Sequence, residues 1–136
     1  MSDTTSIKRE APTPVPARTL ENLSPADRGV ISELGEGSAL LLVQKGPNAG
    51  ARYLLNRDLV TAGRNPDNDI FLDDVTVSRK HAEFQRKDGH FSVKDSGSLN
   101  GTYVNGELAE STDLINGDSI QIGKYRLLFI TNGGRK

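Results

Sequence analysis

The sequence has no cysteine, no excess of basic residues and no long apolar run, and each absence excludes a class of protein. Without cysteine there is no disulfide, no catalytic thiol and no cysteine-ligated zinc. The 17 Lys and Arg residues against 18 Asp and Glu give a net charge of −1, which offers no general attraction to nucleic acid or to a membrane surface. The longest apolar run, residues 39–43, is far too short to span a bilayer, and residues 1–5 lack the apolar core of a signal peptide. We therefore expect a cytoplasmic protein that binds neither nucleic acid nor membranes.

Composition divides the 136 residues into two zones. The three Tyr and four Phe residues all lie at or after Tyr53, whereas four of the six prolines lie at or before Pro25. The N-terminal zone has too little apolar surface to offset the entropy lost on ordering. The sequence therefore predicts a mostly disordered tail at 1–37, one folded domain at 38–131 and a disordered C-terminus at 132–136.

Residues 24–34 carry the signals of a short helix. Ser24 is a good N-cap residue, Pro25 suits the first helical position, and Asp27 places an acidic side chain in the first turn. Either an ordered helix ends before Gly35 and presents one apolar face, or the segment forms only a transient helix in a linker. We favour the transient helix, because isolated helices of this length are marginal. The shared face of an ordered helix would contain Val30, Ile31 and Leu34.

The rest of the chain consists of short segments with strand character, separated by Gly-, Asn- and Asp-containing turn signals. Several segments alternate apolar and polar residues, as in residues 91–94. Short strands at this spacing predict an all-β protein, a sandwich of two packed sheets in which function usually lies in the loops at one end. The predicted strands are 38–43, 51–55, 58–62, 69–72, 81–86, 90–95, 102–104, 119–122 and 125–131.

Three polar clusters lie at the ends of these predicted strands, at residues 63–64, 78–81 and 98–102. The guanidinium of Arg64 has the fork geometry that binds two phosphate oxygens at once. Ser78 offers a hydroxyl donor next to the positive charge of Arg79, and Asn100 can both accept from and donate to a peptide backbone. Each feature alone has a simpler interpretation: a solvated arginine, a serine that caps a turn, and an Asn-Gly hairpin turn.

In their order and spacing, the three clusters resemble the ligand loops of forkhead-associated (FHA) domains, which read phosphothreonine. The resemblance covers residues 38–131 and implies a β-sandwich of about eleven strands. A phosphothreonine brings about −1.5 to −2 charges and three acceptor oxygens, which the donors above would match. Leu99 stands where many family members have threonine, so only its backbone amide would serve. By resemblance, the residues that bind the phosphopeptide are Arg64, Ser78, Arg79, Ser98, Leu99 and Asn100, and those that shape the loops are Gly63, His81 and Gly101.

A narrower resemblance, to the actinobacterial oxoglutarate dehydrogenase inhibitor or glycogen accumulation regulator family, rests on residues 46–52, 69–79 and 97–105. That family carries a pair of threonines in its N-terminal tail, and Thr4 and Thr5 stand at the corresponding place. The resemblance implies that a Ser/Thr protein kinase phosphorylates this pair and that the phosphorylated tail binds its own FHA domain. The unphosphorylated form would inhibit the 2-oxoglutarate dehydrogenase complex, and in some members it acts on enzymes of glutamate metabolism. One departure is that Lys8 and Arg9 replace the aromatic and acidic residues that follow the threonines in the family.

The function expected from these observations is a monomeric, phosphothreonine-dependent switch that regulates a metabolic enzyme and is turned off by its own tail. The alternative is an adaptor that recruits kinases or other phosphoproteins and whose tail is inert. An enzyme is not expected, because no nucleophile–base pair is indicated and the two histidines have other interpretations. Neither a metal site nor a cofactor is expected, since the Asp-rich segments lack the spacing of a calcium loop.

Overall fold

The computed structural model describes residues 23–35 and 37–131, which form one short helix and eleven strands. The strands are β1 (Ala39–Lys45), β2 (Arg52–Leu55), β3 (Leu59–Gly63), β4 (Ile70–Phe71), β5 (Ala82–Lys87), β6 (His90–Asp95), β7 (Thr102–Val104), β8 (Glu107–Leu108), β9 (Ser111–Leu114), β10 (Ser119–Ile122) and β11 (Tyr125–Thr131). They build a six-stranded sheet, in the order β2-β1-β11-β10-β7-β8, and a five-stranded sheet, in the order β4-β3-β5-β6-β9. The predicted all-β sandwich of two sheets is confirmed.

Alternation along the strands supplies a core between the two sheets. Phe84 of β5 lies opposite Val93 of β6, and both are buried. Phe91 and Phe129, one from each sheet, meet edge to face with ring centroids 5.5 Å apart. Aromatic pairs in this geometry add stability beyond the area that they bury. The core therefore fixes how the two sheets, and the loops at their ends, sit against each other.

Strand β1 is buried on both faces, which explains the apolar run at residues 39–43. Leu41 and Val43 belong to the core between the sheets. Leu40 and Leu42 belong to a second apolar cluster on the other face of the six-stranded sheet. Helix α1 (Pro25–Ser32) covers that second cluster. A strand that is apolar on both sides thus lies between a second sheet and a helix.

Helix α1 is the ordered alternative of the two considered for residues 24–34. Ser24 Oγ accepts the backbone N–H of Asp27 at 3.1 Å, and Pro25 lies in the first turn. Asp27 also pairs with Arg52 of β2 at 3.2 Å. The expectation of a transient helix is wrong, because tertiary packing stabilises a helix too short to persist alone. The cluster between helix and sheet contains Leu23, Ile31, Leu34, Leu40, Leu42, Leu128 and Ile130.

The helix differs from the expectation in two details. It ends at Ser32, and Val30 remains 36% exposed instead of joining Ile31 on the packed face. The division into a tail at 1–37 and a domain at 38–131 stays a prediction. Helix α1 lies on the tail side of that boundary but packs on the sandwich. Residues 1–22, 36 and 132–136, including the predicted phosphorylation sites, lie outside the described part of the chain.

Two of the eleven strands, β8 and β9, are missing from the nine predicted from the sequence pattern, although the FHA resemblance implied eleven. Both lie at sheet edges. Both residues of β8 are exposed, and β9 buries only Leu114. Edge strands need few apolar residues, so neither segment carries the alternation by which the others were found.

Four loops meet at one end of the sandwich, and we call residues 64–69, 72–81, 96–101 and 123–124 the apical loops. They connect β3 to β4, β4 to β5, β6 to β7 and β10 to β11. The paired strand ends that carry them, such as those of β5 and β6, fix their spacing. No helix within residues 23–35 and 37–131 is long and apolar enough to cross a membrane.

Candidate functional site

The buried imidazole of His81 joins two of the apical loops. Its Nδ1 accepts the backbone N–H of Ser78 at 3.0 Å, and its Nε2 lies 2.9 Å from the carbonyl oxygen of Gly101. Because Nδ1 is an acceptor, the ring proton is on Nε2 and is donated to Gly101. Burial lowers the pKa of His81 despite the opposing effects of Gly101 and the Asp95 carboxylate. A neutral ring therefore braces the Ser78 loop against the Gly101 turn.

The hydroxyl of Ser78 makes a second link between the same loops. Ser78 Oγ accepts the backbone N–H of Leu99 at 2.9 Å. A hydroxyl that accepts one hydrogen bond still has its own hydrogen to donate. The Leu99 side chain itself is 90% exposed. The single backbone N–H of Leu99 is thus already donated within the protein, and a contact of Leu99 with the phosphopeptide stays a prediction.

Asp95 organises the 96–101 loop from within. Its carboxylate accepts the backbone N–H groups of Gly97 and Ser98, both at 2.9 Å, together with the hydroxyls of Ser98 and Thr102. The Ser98 hydroxyl in turn accepts the backbone N–H of Gly101 at 2.9 Å. Burial raises the pKa of Asp95, but the hydrogen bonds from Ser98 and Thr102 outweigh it, so the pKa lies below its ordinary value. Since Asp95 and Gly101 already engage the Ser98 hydroxyl, a peptide contact by Ser98 stays a prediction.

Gly63 lies where β3 passes closest to the 72–81 loop. A Cβ at Gly63 would come within 2.1 Å of the carbonyl oxygen of Arg79 and 2.7 Å of Asn68 Nδ2. Asn68 Nδ2 donates to that same carbonyl at 2.8 Å, so any side chain at Gly63 would separate the two. Only glycine fits here, because it has no Cβ. The close approach also allows the backbone N–H of Arg64 to donate to the carbonyl oxygen of Ser78 at 2.9 Å.

Arg64 is exposed, but the root of its guanidinium is held in place. Its Nε donates to the carbonyl oxygen of Val77 at 3.0 Å. This bond fixes the plane of the guanidinium beside the 72–81 loop. Within the described residues, Nη1 and Nη2 have no hydrogen-bond partner, so four N–H donors of this exposed arginine are unshared.

Thr76 connects Asn100 with the turn between β10 and β11. Asn100 Nδ2 donates to the Thr76 carbonyl oxygen at 2.9 Å, and Thr76 Oγ1 accepts the backbone N–H of Lys124 at 2.9 Å. The Thr76 hydroxyl donates to Asp74, and this hydrogen bond lowers the pKa of the Asp74 carboxyl. A groove of about 280 Å³ runs beside these contacts, lined by Thr76, Asn100, Gly101, Tyr103, Gln121, Gly123 and Lys124.

The apical loops carry equal numbers of basic and acidic residues, so their summed charge does not favour an anion. The exposed Arg64 nevertheless has guanidinium N–H groups that no other described residue shares. Fixed donors bind an anion more strongly than a diffuse charge of the same size. The basic residues are Arg64, Arg79, Lys80 and Lys124, and the acidic ones are Asp67, Asp69, Asp73 and Asp74.

The structure brings most of the predicted site residues to one surface. Hydrogen bonds join the loops that carry Arg64, Ser78, the Leu99 amide and Asn100. The exposed Arg79 follows Ser78. His81 and Gly63 are buried beneath that surface, and Ser98 and Gly101 are half-buried at its margin. The sequence analysis missed three supporting residues. They are Asp95, Asn68 and Thr76. Of these, only Asp95 carried a sequence signal, because an Asp followed by Ser and Gly favours an Asx turn.

Comparison with known proteins agrees with this geometry. The family model of the FHA domain matches residues 60–123, from the start of β3 to the turn after β10. The chain is 60% identical over 106 residues to the oxoglutarate dehydrogenase inhibitor of Corynebacterium jeikeium, covering 78% of this chain and 73% of that protein. The chain belongs to the FHA-domain family. The membership expected from the three clusters is thereby confirmed.

Two further relatives extend this comparison. The glycogen accumulation regulator GarA of Mycolicibacterium smegmatis is 61% identical over 101 residues, which cover 74% of this chain and 64% of that protein. The chain thus matches slightly less than two thirds of the length of that regulator. An FHA domain solved in a structural and functional analysis of phosphothreonine-dependent FHA domain interactions has a TM-score of 0.65 and is 28% identical, covering 71% of this chain and 99% of that chain.

Proposed function

We propose that this FHA domain binds phosphothreonine at the surface formed by Arg64, Ser78 and Asn100. The observation that carries the proposal is the hydrogen bond from the Leu99 amide to Ser78 Oγ, reinforced by the His81 brace. These bonds hold the two donor loops at a fixed separation before any ligand arrives. A preorganised site binds more tightly, because the loops lose little further entropy on binding.

Arg64 and Ser78 would contact the phosphate. The Nη groups of Arg64 would form a charge-assisted, bidentate contact with two phosphate oxygens. The hydroxyl of Ser78, whose lone pair already receives the Leu99 amide, would donate its hydrogen to the third oxygen. Arg79 would add a second positive charge beside it.

Asn100 would hold the peptide backbone. Its Nδ2 is committed to the Thr76 carbonyl, which turns the amide so that Oδ1 can accept a peptide N–H. The nearby 280 Å³ groove would take the residues that flank the phosphothreonine. Recognition would then combine a charged anchor with backbone pairing.

The binding domain would serve regulation, not catalysis. The names of the matched relatives, an oxoglutarate dehydrogenase inhibitor and a glycogen accumulation regulator, support a regulator of a metabolic enzyme. We propose that the unphosphorylated chain inhibits the 2-oxoglutarate dehydrogenase complex and acts on enzymes of glutamate metabolism. A Ser/Thr kinase would phosphorylate Thr4 or Thr5, and the tail, residues 1–37, would then occupy the FHA domain, residues 38–131, of the same monomer.

The direct test is calorimetry of the dephosphorylated chain with three peptides of one sequence, carrying phosphothreonine, phosphoserine or threonine. The phosphothreonine peptide should bind, and the threonine peptide should not. Burying the extra methyl group should favour phosphothreonine over phosphoserine by about fourfold or more. Equal heats from the phosphorylated and unphosphorylated threonine peptides would exclude the proposed site. A pull-down with unphosphorylated protein that retains no dehydrogenase would leave the adaptor function in place of the inhibitor.

A further inference from the structure

A second groove, with a volume of about 450 Å³, opens on the outer face of the six-stranded sheet at its apical end. We call it the basic groove, because three of its lining residues are Lys45, Lys124 and Arg126. No acidic residue lines it. In a chain with a net charge of −1, this is a local concentration of one sign of charge.

The pairing of the strands explains how these side chains come to share one face. Lys45 of β1 lies opposite Arg126 of β11, just past a β-bulge, and Arg126 lies opposite Gln121 of β10. Residues directly opposite in antiparallel strands project to the same face. Helix α1 covers the other half of that face, packing over Leu128 and its neighbours. The apical half has no such cover from the described residues.

Lys45 and Arg126, which lie directly opposite each other in the groove, lower the stability of the fold. Like charges directly opposite each other across an antiparallel pair are destabilising. Within residues 23–35 and 37–131, none of the ion pairs includes Lys45, Lys124 or Arg126. Lys124 has only a minor electrostatic effect on Asp74, whose carboxylate is bonded to Thr76. An anionic ligand would remove the repulsion that the fold leaves in place.

The basic groove continues from the site where we place the phosphopeptide. It shares Gln121, Gly123 and Lys124 with the smaller groove that contains Asn100 and Thr76. A peptide chain whose backbone rests on Asn100 would therefore reach Lys124 and then Lys45 and Arg126 as it continues. The residues that reach these cations flank the phosphothreonine on one side.

We propose that the basic groove binds an acidic segment that flanks the phosphothreonine of a partner protein. The inference rests on the proposed phosphothreonine site. The chain's own tail is a poor occupant by charge on either flank, because Asp3 is the only acidic residue before Thr4, whereas Lys8 and Arg9 follow Thr5. The groove would thus favour partner phosphoproteins with acidic flanks over the tail, by electrostatic complementarity beside the phosphate.

The experiment uses synthetic phosphothreonine peptides with three Glu or three Gln residues placed either before or after the phosphothreonine. Calorimetry with the full, dephosphorylated chain should show that the Glu peptide binds on the order of tenfold more tightly than its Gln match, for one flank only. The preference should shrink in high salt, which screens such contacts. Equal affinities of the Glu and Gln peptides for both flanks would overturn the inference.

The matched variants are Lys45→Glu and Lys87→Glu, which change the net charge equally. Glu at position 45 would face Arg126 and form a cross-strand ion pair, so the fold is retained while the groove is largely neutralised. Lys87 is exposed in the other sheet, at the end of β5. The acidic preference should fall below about threefold in Lys45→Glu and persist in Lys87→Glu. An equal fall in both variants, or none in Lys45→Glu, would overturn the inference. Failure of every phosphothreonine peptide to bind would instead reject the proposed function, and this inference with it.

Discussion

Ser78 Oγ lies 2.9 Å from the backbone nitrogen of Leu99, so a single hydrogen bond joins the loop that would bind phosphate to the loop that would hold the peptide. The same serine is tied through its backbone N–H to the buried His81. Loop order thus depends on Ser78, and phosphate recognition at the proposed site would depend on the same side chain. Changes at this residue should affect binding and stability together, whereas changes at Arg64 should affect mainly binding.

Ser78→Ala should weaken phosphothreonine-peptide binding by about 10- to 100-fold, because a hydrogen bond to a charged group is lost. It should also lower the free energy of unfolding by about 1 kcal/mol, since the Leu99 amide loses its acceptor. Calorimetry and urea unfolding measure the two effects. Ser92→Ala, in the middle of β6, is the control for removing a hydroxyl. Normal affinity in Ser78→Ala would show that this hydroxyl does not touch phosphate.

Arg64→Lys keeps the positive charge but removes the fork and the Nε bond to Val77. Affinity for the phosphothreonine peptide should fall by about tenfold, because lysine binds phosphate as a point charge. Arg57→Lys is the matched control, since that arginine pairs with Asp69 at 2.7 Å on the β2–β3 connection. If the two substitutions reduce affinity equally, the loss does not arise from a phosphate contact of the Arg64 guanidinium.

Gly63→Ala should destabilise the domain by about 1–3 kcal/mol, because the new Cβ would fall 2.1 Å from the carbonyl oxygen of Arg79. Gly29→Ala provides the opposite case. Gly29 lies within helix α1, and a Cβ there meets nothing within 4 Å, so alanine should add about 0.5–1 kcal/mol. Urea unfolding of both variants checks the pair. A Gly63→Ala protein as stable as the parent would contradict the close approach of β3 to the 72–81 loop.

His81 should make stability depend on pH below about 6.5. Burial lowers the pKa of the folded-state imidazole below its ordinary value of 6.5, so the unfolded chain binds a proton first as the pH falls. The free energy of unfolding is then fully present above pH 6.5 and declines as the pH falls toward the folded-state pKa. The slope in this window is at most about 1.4 kcal/mol per pH unit.

The measurement is urea unfolding at pH values from 5 to 7.5, in the parent and in His81→Asn. The variant should be less stable throughout but should lose much of the slope. His90→Asn, at the exposed start of β6, is the control for replacing an imidazole. An unchanged slope in His81→Asn would assign the pH dependence to other groups.

The sequence predicted the sandwich and the site loops because both depend on local patterns. Alternating residues located nine strands, and turn signals such as Asp88-Gly89 correspond to real left-handed turns, with φ of 53° and 78°. The edge strands β8 and β9 were not predicted, because their residues are mostly exposed and show no apolar alternation. The packing of α1 was not predicted, because it depends on Leu128 and Ile130. These residues are distant from the helix in sequence, and a strand pattern does not show what covers its outer face.

The site itself was predictable only in its exposed donors. Arg64, Ser78 and Asn100 stand in short motifs, whereas the support beneath them uses single polar residues without a motif. Thr76 serves Asn100 through its backbone carbonyl, which any residue has. The basic groove was likewise not predictable from the sequence, because Lys45 and Arg126 are distant in sequence and only the strand register places them together.

The docked helix shortens the tether for the proposed tail closure. From Thr5 to Leu23, the first described residue, is 23 − 5 = 18 residues, against 38 − 5 = 33 if the tail began at Ser38. For a flexible chain, which the composition predicts, 18 residues have a root-mean-square span of roughly 21–25 Å. A domain of about 100 residues has a radius of gyration near 13 Å, so the tail can still reach the apical loops. Effective concentration scales roughly as the −3/2 power of length, so docking of α1 should raise it by only about 2.5-fold.

The last prediction is therefore that phosphorylation of Thr4 or Thr5 closes the tail onto the FHA domain whether or not α1 is docked. NMR shifts of Arg64, Ser78 and Asn100 in the phosphorylated monomer should match those of the unphosphorylated chain saturated with a phosphothreonine peptide, at every protein concentration. Ile31→Asp should release α1 from the sheet, because it places a carboxylate in the apolar cluster, yet a competing peptide should then bind the phosphorylated chain only about 2.5-fold more tightly. The charge-matched control, Asn116→Asp, changes a residue of the neighbouring β9–β10 loop and leaves that cluster intact. Loop signals that stay at their free positions after full phosphorylation would reject closure. A gain of more than about tenfold in Ile31→Asp would show that α1 positions the tail directly, beyond shortening the tether.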